Sequence, residues 1–412
     1  MAAFCLAIVS QASAMDRRAY QHGVRLLKDH EDTIWAIWSS SPGNPPEGQK
    51  KLIRSDGSKC SYFTHDIFYS SINPDHPVLH PQLLVSMPEA QEPVDAAVSS
   101  SGSIAITFED GSDSDTRNCD GVIEQRYKIF THFPERGNEL RTVQIDGAHS
   151  GHIASVGNNF VIAYAEGWIE GEGAFDGGTA NDIYVETFSQ DGDSLHFKPV
   201  ARDKGWPRDW WPLIAGSSKR ALLIWQRLVT DSRYASLMAT IYDPENNKIV
   251  KPIFVLKENL QYYHFDAQFL PAVNRFLVVG NYLGTSIAAN SLPIVSPKLF
   301  AILLDESGEV IDSWESNNSC TPCGSYPVLS LVRETRPAII NNSAVADVLY
   351  PIKPNGIVWF TVTQESVAMK NVFHHQHMWF PLGADGIFLD KQRALFINLT
   401  PTGTKIIKVS IP

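Results

Sequence analysis

The chain repeats a unit of two short strands joined by a tight turn, and that recurrence predicts an all-β propeller of four-stranded antiparallel blades, with seven as the best count. Three observations carry the prediction. The clearest copy, HSGHIASVGNNFVIAYAEGW from His149 to Trp168, turns at Gly157-Asn158-Asn159 and has polar residues at both open ends. Related hairpins open at His22, Val94, Trp210 and His264, and their second strands end on Trp38, Phe108, Tyr164, Trp225 and Asn281, 56 to 70 residues apart. Almost no stretch has helical apolar periodicity, whereas the strands alternate or run apolar throughout, as sheets stacked face to face require.

In chain order, residues 1–14 read as a secretory signal: a short apolar run ends in Ala12-Ser13-Ala14, although a basic leader is missing. Residues 15–412 then form one repeat domain, since 43% apolar content and 19% charge suit an ordered core that repetition extends. Each repeat continues past its first hairpin with a second. NDIYVETF and HFKPV flank SQDGDS, SLMATIYD and IVKPIFV flank PENNK, and RALFINL and KIIKVSI flank TPTGT. Blades are expected to open near His22, Val94, His152, Trp211, Phe265, Tyr326 and Met378, the last two fitting poorly because nine apolar runs follow Tyr326 where eight are needed. A ring of six or eight blades, or a β-helix of shorter period, is the alternative.

Export agrees with the cysteines. Without Cys5, the even set Cys60, Cys119, Cys320 and Cys323 allows three pairings; Cys60–Cys119 and Cys320–Cys323 are favoured because the first two occupy equivalent long loops of adjacent repeats. A net charge of −11 argues against nucleic acid and anionic membranes as partners and disfavours an acidic polymer through the global field, though a local arginine cluster can override that; a polysaccharide or oligosaccharide bound by a monomer is the expectation. Apart from the signal, the chain carries no apolar run of membrane-spanning length. Asn317, Asn341 and Asn398 stand in sequons, which matter only in a eukaryotic secretory pathway.

In a four-stranded blade the start of the first strand and the end of the second lie at one end, where the long loops also fall, so function is expected on that rim. The candidate catalytic residues there are His152, His264, Tyr164, Tyr263, Arg227 and Arg208; His149, Trp38, Trp211, Trp225, Gln226, Glu166, Asn281 and His377 are candidate substrate contacts. Three chemistries fit them. In a lyase, histidine or tyrosine removes the proton beside a carboxylate that arginine neutralises, and a second such group protonates the leaving oxygen. In a glycosidase, two of Glu109, Asp110, Glu166 and Asp182 act as a carboxylate pair. In a lectin-like binder, the tryptophans only stack on sugar rings.

The segments HSGH, IAYAEG and LIWQR resemble those of secreted seven-bladed propellers that include uronate-specific polysaccharide lyases and related rhamnosidases. That resemblance implies His, Tyr and Arg machinery on one face of the ring. The sialidase box S-x-D-x-G-x-x-W is absent from the sequence. No cofactor is expected. Asp113, Asp115 and Glu124 are spaced as in a calcium loop, but Arg117 and Asn118 stand where a ligand and a glycine are needed, so a solvated acidic loop is the better reading. His374-His375-Gln376-His377 has no carboxylate or cysteine partner at a fixed spacing, which leaves metal binding the weaker reading.

Overall fold

A computed structural model describes residues 23–40, 49–53, 59–63, 66–87, 91–111, 123–166, 182–202, 208–228, 235–286, 294–316, 329–353, 355–374, 378–380, 382–400 and 403–411. Among them the regular structure is entirely β. The first strands are β1 (Val24–Lys28), β2 (Ile34–Ser40), β3 (Gln49–Ile53), β4 (Lys59–Phe63), β5 (Asp66–Ile72) and β6 (Gln82–Val85). β1, β2, β5 and β6 make one sheet in that order, and β3 pairs with β4 separately. The second sheet runs inward to outward through β7 (Gln91–Val98), β8 (Ile104–Asp110) and β9 (Glu124–His132), with β10 (Arg136–Gly137) and β11 (Arg141–Thr142) both on the edge of β9. The third is β12 (His149–Val156), β13 (Asn159–Ala165), β14 (Ile183–Phe188) and β15 (Ser194–Ala201).

Next come β16 (Arg208–Gly216), β17 (Ala221–Leu228), β18 (Ala235–Asp243), β19 (Lys248–Leu270), β20 (Arg275–Ser286), β21 (Ile294–Leu304) and β22 (Val310–Glu315), joined as one seven-stranded sheet. The 23-residue β19 serves two units, closing one as its outer strand and opening the next as its inner strand. The remaining strands are β23 (Ala338–Asn342), β24 (Val345–Ile352), β25 (Gly356–Val362) and β26 (Val367–His374), then β27 (Leu382–Asp390), β28 (Arg393–Thr400) and β29 (Gly403–Ser410). They make a four-stranded and a three-stranded sheet. Every ladder pairing is antiparallel, and sheets of four antiparallel strands in succession are propeller blades.

Burial explains why they close into a ring. Both faces of each sheet are apolar, so each must be covered by a neighbour. Ile37 and Val94 pack the first sheet on the second, Tyr127 and Phe160 the second on the third, and Val161 and Leu223 the third on β17. Leu222 with Phe276, Leu277 with Val348, and Trp359 with Phe388 continue the series. Leu26 and Trp38 against Leu395 and Ile397 return the last sheet to the first, so no apolar face is left at either end.

One expectation about the order of elements changes. The sheet expected to open at Tyr326 begins at Ala338, because residues 329–335 make only isolated bridges, Leu331 to Ile352 and Thr335 to Ala384, and Pro337 has no N–H to donate to a ladder. The last sheet begins at Leu382 rather than at Met378. Among the described residues seven strands follow Tyr326, where the sequence has nine apolar runs, and the run at Leu329–Val332 is part of this connecting segment. The cysteine pairings fall on Cys119, Cys320 and Cys323, outside the described residues, and on the side chain of Cys60, which is also outside them.

Candidate functional site

The inner strands β1, β7, β12, β16, β19 and β27, with the segment leading into β23, surround a central channel. Several of them are kinked where they enter it. In β12, Ser150 and Gly151 together face Tyr164, between the pairs His149–Ala165 and His152–Ala163. In β16, Trp211 and Pro212 likewise face Trp225, and β19 shifts register between Leu260 and Phe265. The kinks put Ser150, Trp211, Tyr263 and Glu334 in left-handed backbone, with φ of 56, 57, 63 and 56°. Such bulges re-aim the next side chains, and non-glycine residues hold that conformation only where the surroundings enforce it.

The aromatic and basic side chains at these kinks form a chain of contacts. The His152 ring meets Trp211 edge-on at 5.2 Å, and Trp211 meets Tyr263 edge-on at 5.2 Å. The Arg333 guanidinium lies 4.0 Å over the Tyr263 ring, a cation–π distance. Gln226 Oε1 accepts the Tyr263 backbone N–H at 3.3 Å. His149 lies 5.9 Å from Trp210 and contacts Ser150 Oγ through Nδ1 at 2.9 Å, while Arg208 is 4.2 Å over Trp210.

Both candidate catalytic histidines are held in one tautomer. His152 Nδ1 lies 3.1 Å from the Ser150 carbonyl, and His264 Nδ1 lies 2.6 Å from the Tyr262 carbonyl, so in each ring Nδ1 donates and Nε2 keeps its lone pair. Burial lowers both to about 4, and the neutral imidazole is the form present near pH 7. His149 is pulled further, to about 3, by burial and then by Arg208. His264 also feels Lys353 and Arg333, and Lys353 is itself lowered by burial and by Arg333. Two cations and one carboxylate, Glu334, which pairs with Arg333 at 3.1 Å, therefore gather beside His264 and Tyr263.

Below the mouth the channel is crossed by a buried charged layer. Arg25 bonds Asp95 and lies 3.7 Å from Asp385; Arg336 reaches Asp95 at 3.4 Å and Asp266 at 3.1 Å. Tyr350 Oη and Gln268 Nε2 each donate to Asp266 at 2.9 Å. Three carboxylates face two guanidiniums. Burial holds Asp385 up at about 6 and pushes Asp266 up, whereas Arg25 and Arg336 overcome burial and hold Asp95 well below the usual carboxylate range. A cavity of about 330 Å³ lies beneath this layer and one of about 30 Å³ above it, the latter lined by His152, Trp211, Asp266, Glu334 and Arg336.

The candidate residues from the sequence thus divide. His149, His152, Tyr263, His264, Trp211, Gln226 and Arg208 come together around the mouth. Trp38, Tyr164, Trp225 and Asn281 are sealed inside the blades: Trp38 stacks on Phe68, Tyr164 stacks on Tyr184, and Asn281 bonds the backbone of Lys298, Leu329 and Leu331. Arg227 is held in a bidentate pair by Asp209 at 2.7 and 2.6 Å. Glu166 is hydrogen-bonded to Asp182, and burial followed by that neighbour raises its carboxyl. His377 lies outside the described residues, as does the acidic loop except for Glu124, which pairs with Arg126. Among the described residues, no group of three or more His, Cys, Asp or Glu side chains is placed to hold a metal.

Sequence reasoning missed Arg25, Arg333, Arg336 and Lys353. A signal for two of them was present: Arg333-Glu334-Thr335-Arg336 directly precedes the apolar run at Ala338, the place that Arg208-Asp209-Trp210-Trp211 holds before Leu213.

No family model matches the chain, and no curated protein matches it in sequence. Solved structures resemble it at the level of fold. A Dyadobacter fermentans protein of unknown function is 11% identical with a TM-score of 0.49, covering 87% of this chain and 96% of that one. A Trypanosoma rangeli sialidase in complex with the inhibitor DANA is 7% identical with a TM-score of 0.44, covering 91% of this chain, which spans 59% of the sialidase. A PL25 ulvan lyase bound to -[GlcA(1-4)Rha3S]- is 9% identical with a TM-score of 0.40, covering 94% of this chain and 78% of that one.

Proposed function

We propose that the protein is an exported carbohydrate-active enzyme, a lyase that cleaves beside a uronic acid, built on a monomeric single-domain propeller of seven blades. The observation that carries this reading is the pair His152 and His264, each with Nδ1 tied to the carbonyl two residues back, His264 adjoining Tyr263 and its Arg333 neighbour and His152 linked to Tyr263 through Trp211. Arg333 and Lys353 would meet the substrate carboxylate and make the adjacent C–H acidic. A histidine Nε2 would take that proton, the electron pair would form the carbon–carbon double bond, and the glycosidic C–O bond would break as Tyr263 protonates the departing oxygen. Arg333, which pairs with Glu334 through Nε, takes the role first considered for Arg227 and Arg208, since Asp209 holds Arg227 through two nitrogens and Arg208 is buried against Trp210.

The rival chemistries find less support. Glu166 and Asp182 are hydrogen-bonded to each other, whereas a glycosidase pair must stand roughly 5 Å or more apart to admit the sugar. Trp38 and Trp225 are enclosed in cores, and Trp210 and Trp211, though at the mouth, are also buried, which disfavours stacking on sugar rings. The test is a panel of uronate polysaccharides followed by ultraviolet absorbance, because only elimination leaves a conjugated double bond. Absorbance rising with chain cleavage is the expected result. New reducing ends without it would make the protein a hydrolase, and binding with neither would make it a lectin.

A further inference from the structure

We propose that Asp95 is a positioning residue for His152: it anchors the strand that carries the imidazole and supplies the negative charge that stabilises the ring once protonated, with Arg25 and Arg336 tempering that charge. This rests on the reading of His152 as a proton acceptor.

The geometry is specific. Asp95 is buried on β7, yet its carboxylate reaches across to β12, where Oδ2 accepts the Ile153 backbone N–H at 3.0 Å. Ile153 directly follows His152, so this bond fixes the ring's own backbone just inside the bulge at Ser150–Gly151. Oδ1 accepts the Ala96 N–H at 2.7 Å and binds Arg25, and Arg336 approaches Oδ2 at 3.4 Å. Every lone pair of Asp95 is thus directed, and the carboxylate cannot turn to meet a substrate.

The charges facing His152 come from several elements: Asp95 from β7, Arg25 from β1 and Arg336 from ahead of β23, with Asp266 of β19 and Glu334 in the same mouth lining. Asp95 favours the imidazolium while Arg336 and Arg25 oppose it, so buried His152 stays neutral at rest but has a fixed anion in place when it takes a proton. Asp95 and Arg336 carry opposite charges and so act on His152 in opposite directions; the loss in kcat, which a merely structural pair would not cause in a folded protein, separates positioning from packing.

That contrast is the test. With histidine labelled in ¹⁵N, and the His152 signal assigned by its loss in His152→Gln, the full-length protein is titrated by NMR. Asp95→Asn keeps an acceptor for Ile153 but removes the charge, and should lower the His152 midpoint; Arg336→Gln should raise it, each by about one pH unit. In the same Asp95→Asn protein, elimination should lose about 10- to 100-fold in kcat with KM little changed. Shifts in the same direction, or no shift in variants that melt cooperatively, would overturn the proposal. Should Asp95→Asn fail to fold, Arg336→Gln decides alone, and a midpoint that does not rise rejects the idea. The titration reads His152 itself, so its outcome stands apart from whether the wild-type protein proves to be a lyase.

Discussion

Aromatic residues on the rim look alike in sequence, yet Trp225, at the end of a second strand, and Tyr263, at the entry of an inner strand, have opposite surroundings. Trp225 is fully buried between the third sheet and β18, whereas Tyr263 is only partly buried and sits at the channel mouth. Trp225→Ala should therefore cost about 3–5 kcal/mol in chemical denaturation through lost burial and the cavity left behind. Tyr263→Phe removes only a hydroxyl. It should leave the denaturation midpoint nearly unchanged while reducing elimination by about 100-fold or more. A stable Trp225→Ala protein would refute the packing role, and a fully active Tyr263→Phe protein would remove Tyr263 from the chemistry. Period and strand position told us where these rings lie along the chain; which side of a sheet they bury against depends on the neighbouring blade.

At the scale of elements, the inner strands approach each other closely enough that glycine is required at the contact. A Cβ on Gly216 of β16 would stand 1.9 Å from the Ser155 carbonyl oxygen of β12, a backbone atom that cannot swing aside. Gly216→Ala should destabilise the protein by about 1–3 kcal/mol in denaturant titration, and an unchanged midpoint would contradict this interface between neighbouring sheets. The first-strand hairpins were legible because their turns carry Gly-Asn or Ser-Gly signals between apolar runs, as at Gly157–Asn159 and Ser101–Gly102. The stretch ahead of Ala338 was not, since an apolar run such as Leu329–Val332 reads the same whether it joins a ladder or merely packs into the core between sheets.

At the scale of the whole molecule, buried titratable groups set the pH range of stability. His149, His152 and His264 sit at about 3, 4 and 4 in the fold against an ordinary 6.5, so the unfolded chain binds more protons in that interval. Their contribution is fully present above pH 6.5 and is lost as pH falls toward 4. Asp385 works in the other sense: at about 6 against an ordinary 3.8, it favours the fold most at low pH and loses that contribution as pH rises through 6. Asp266 and Glu166, also raised, act with Asp385, and Asp95, held low, acts with the histidines; the large downward displacement of three histidines decides the sign. The melting temperature measured by calorimetry should fall as pH is lowered from 7 to 4, and a constant or rising value would mean that these histidines are not buried neutral.

What the sequence by itself determined was the all-β class, the recurring hairpin and the rim on which His149, His152, Trp211, Tyr263 and His264 gather. All of these follow from turn chemistry, apolar period and the antiparallel rule that puts strand starts and ends on the same side. Only the tertiary structure decided that Tyr164 and Trp225 face inward, that Asp209 occupies Arg227, and that Arg333 stands over Tyr263. The reason is physical. A strand's alternation fixes two faces, but which face meets a neighbour, and which charges from segments as distant in sequence as those of Asp95 and Arg336 meet in the channel, is set by the closing of the ring.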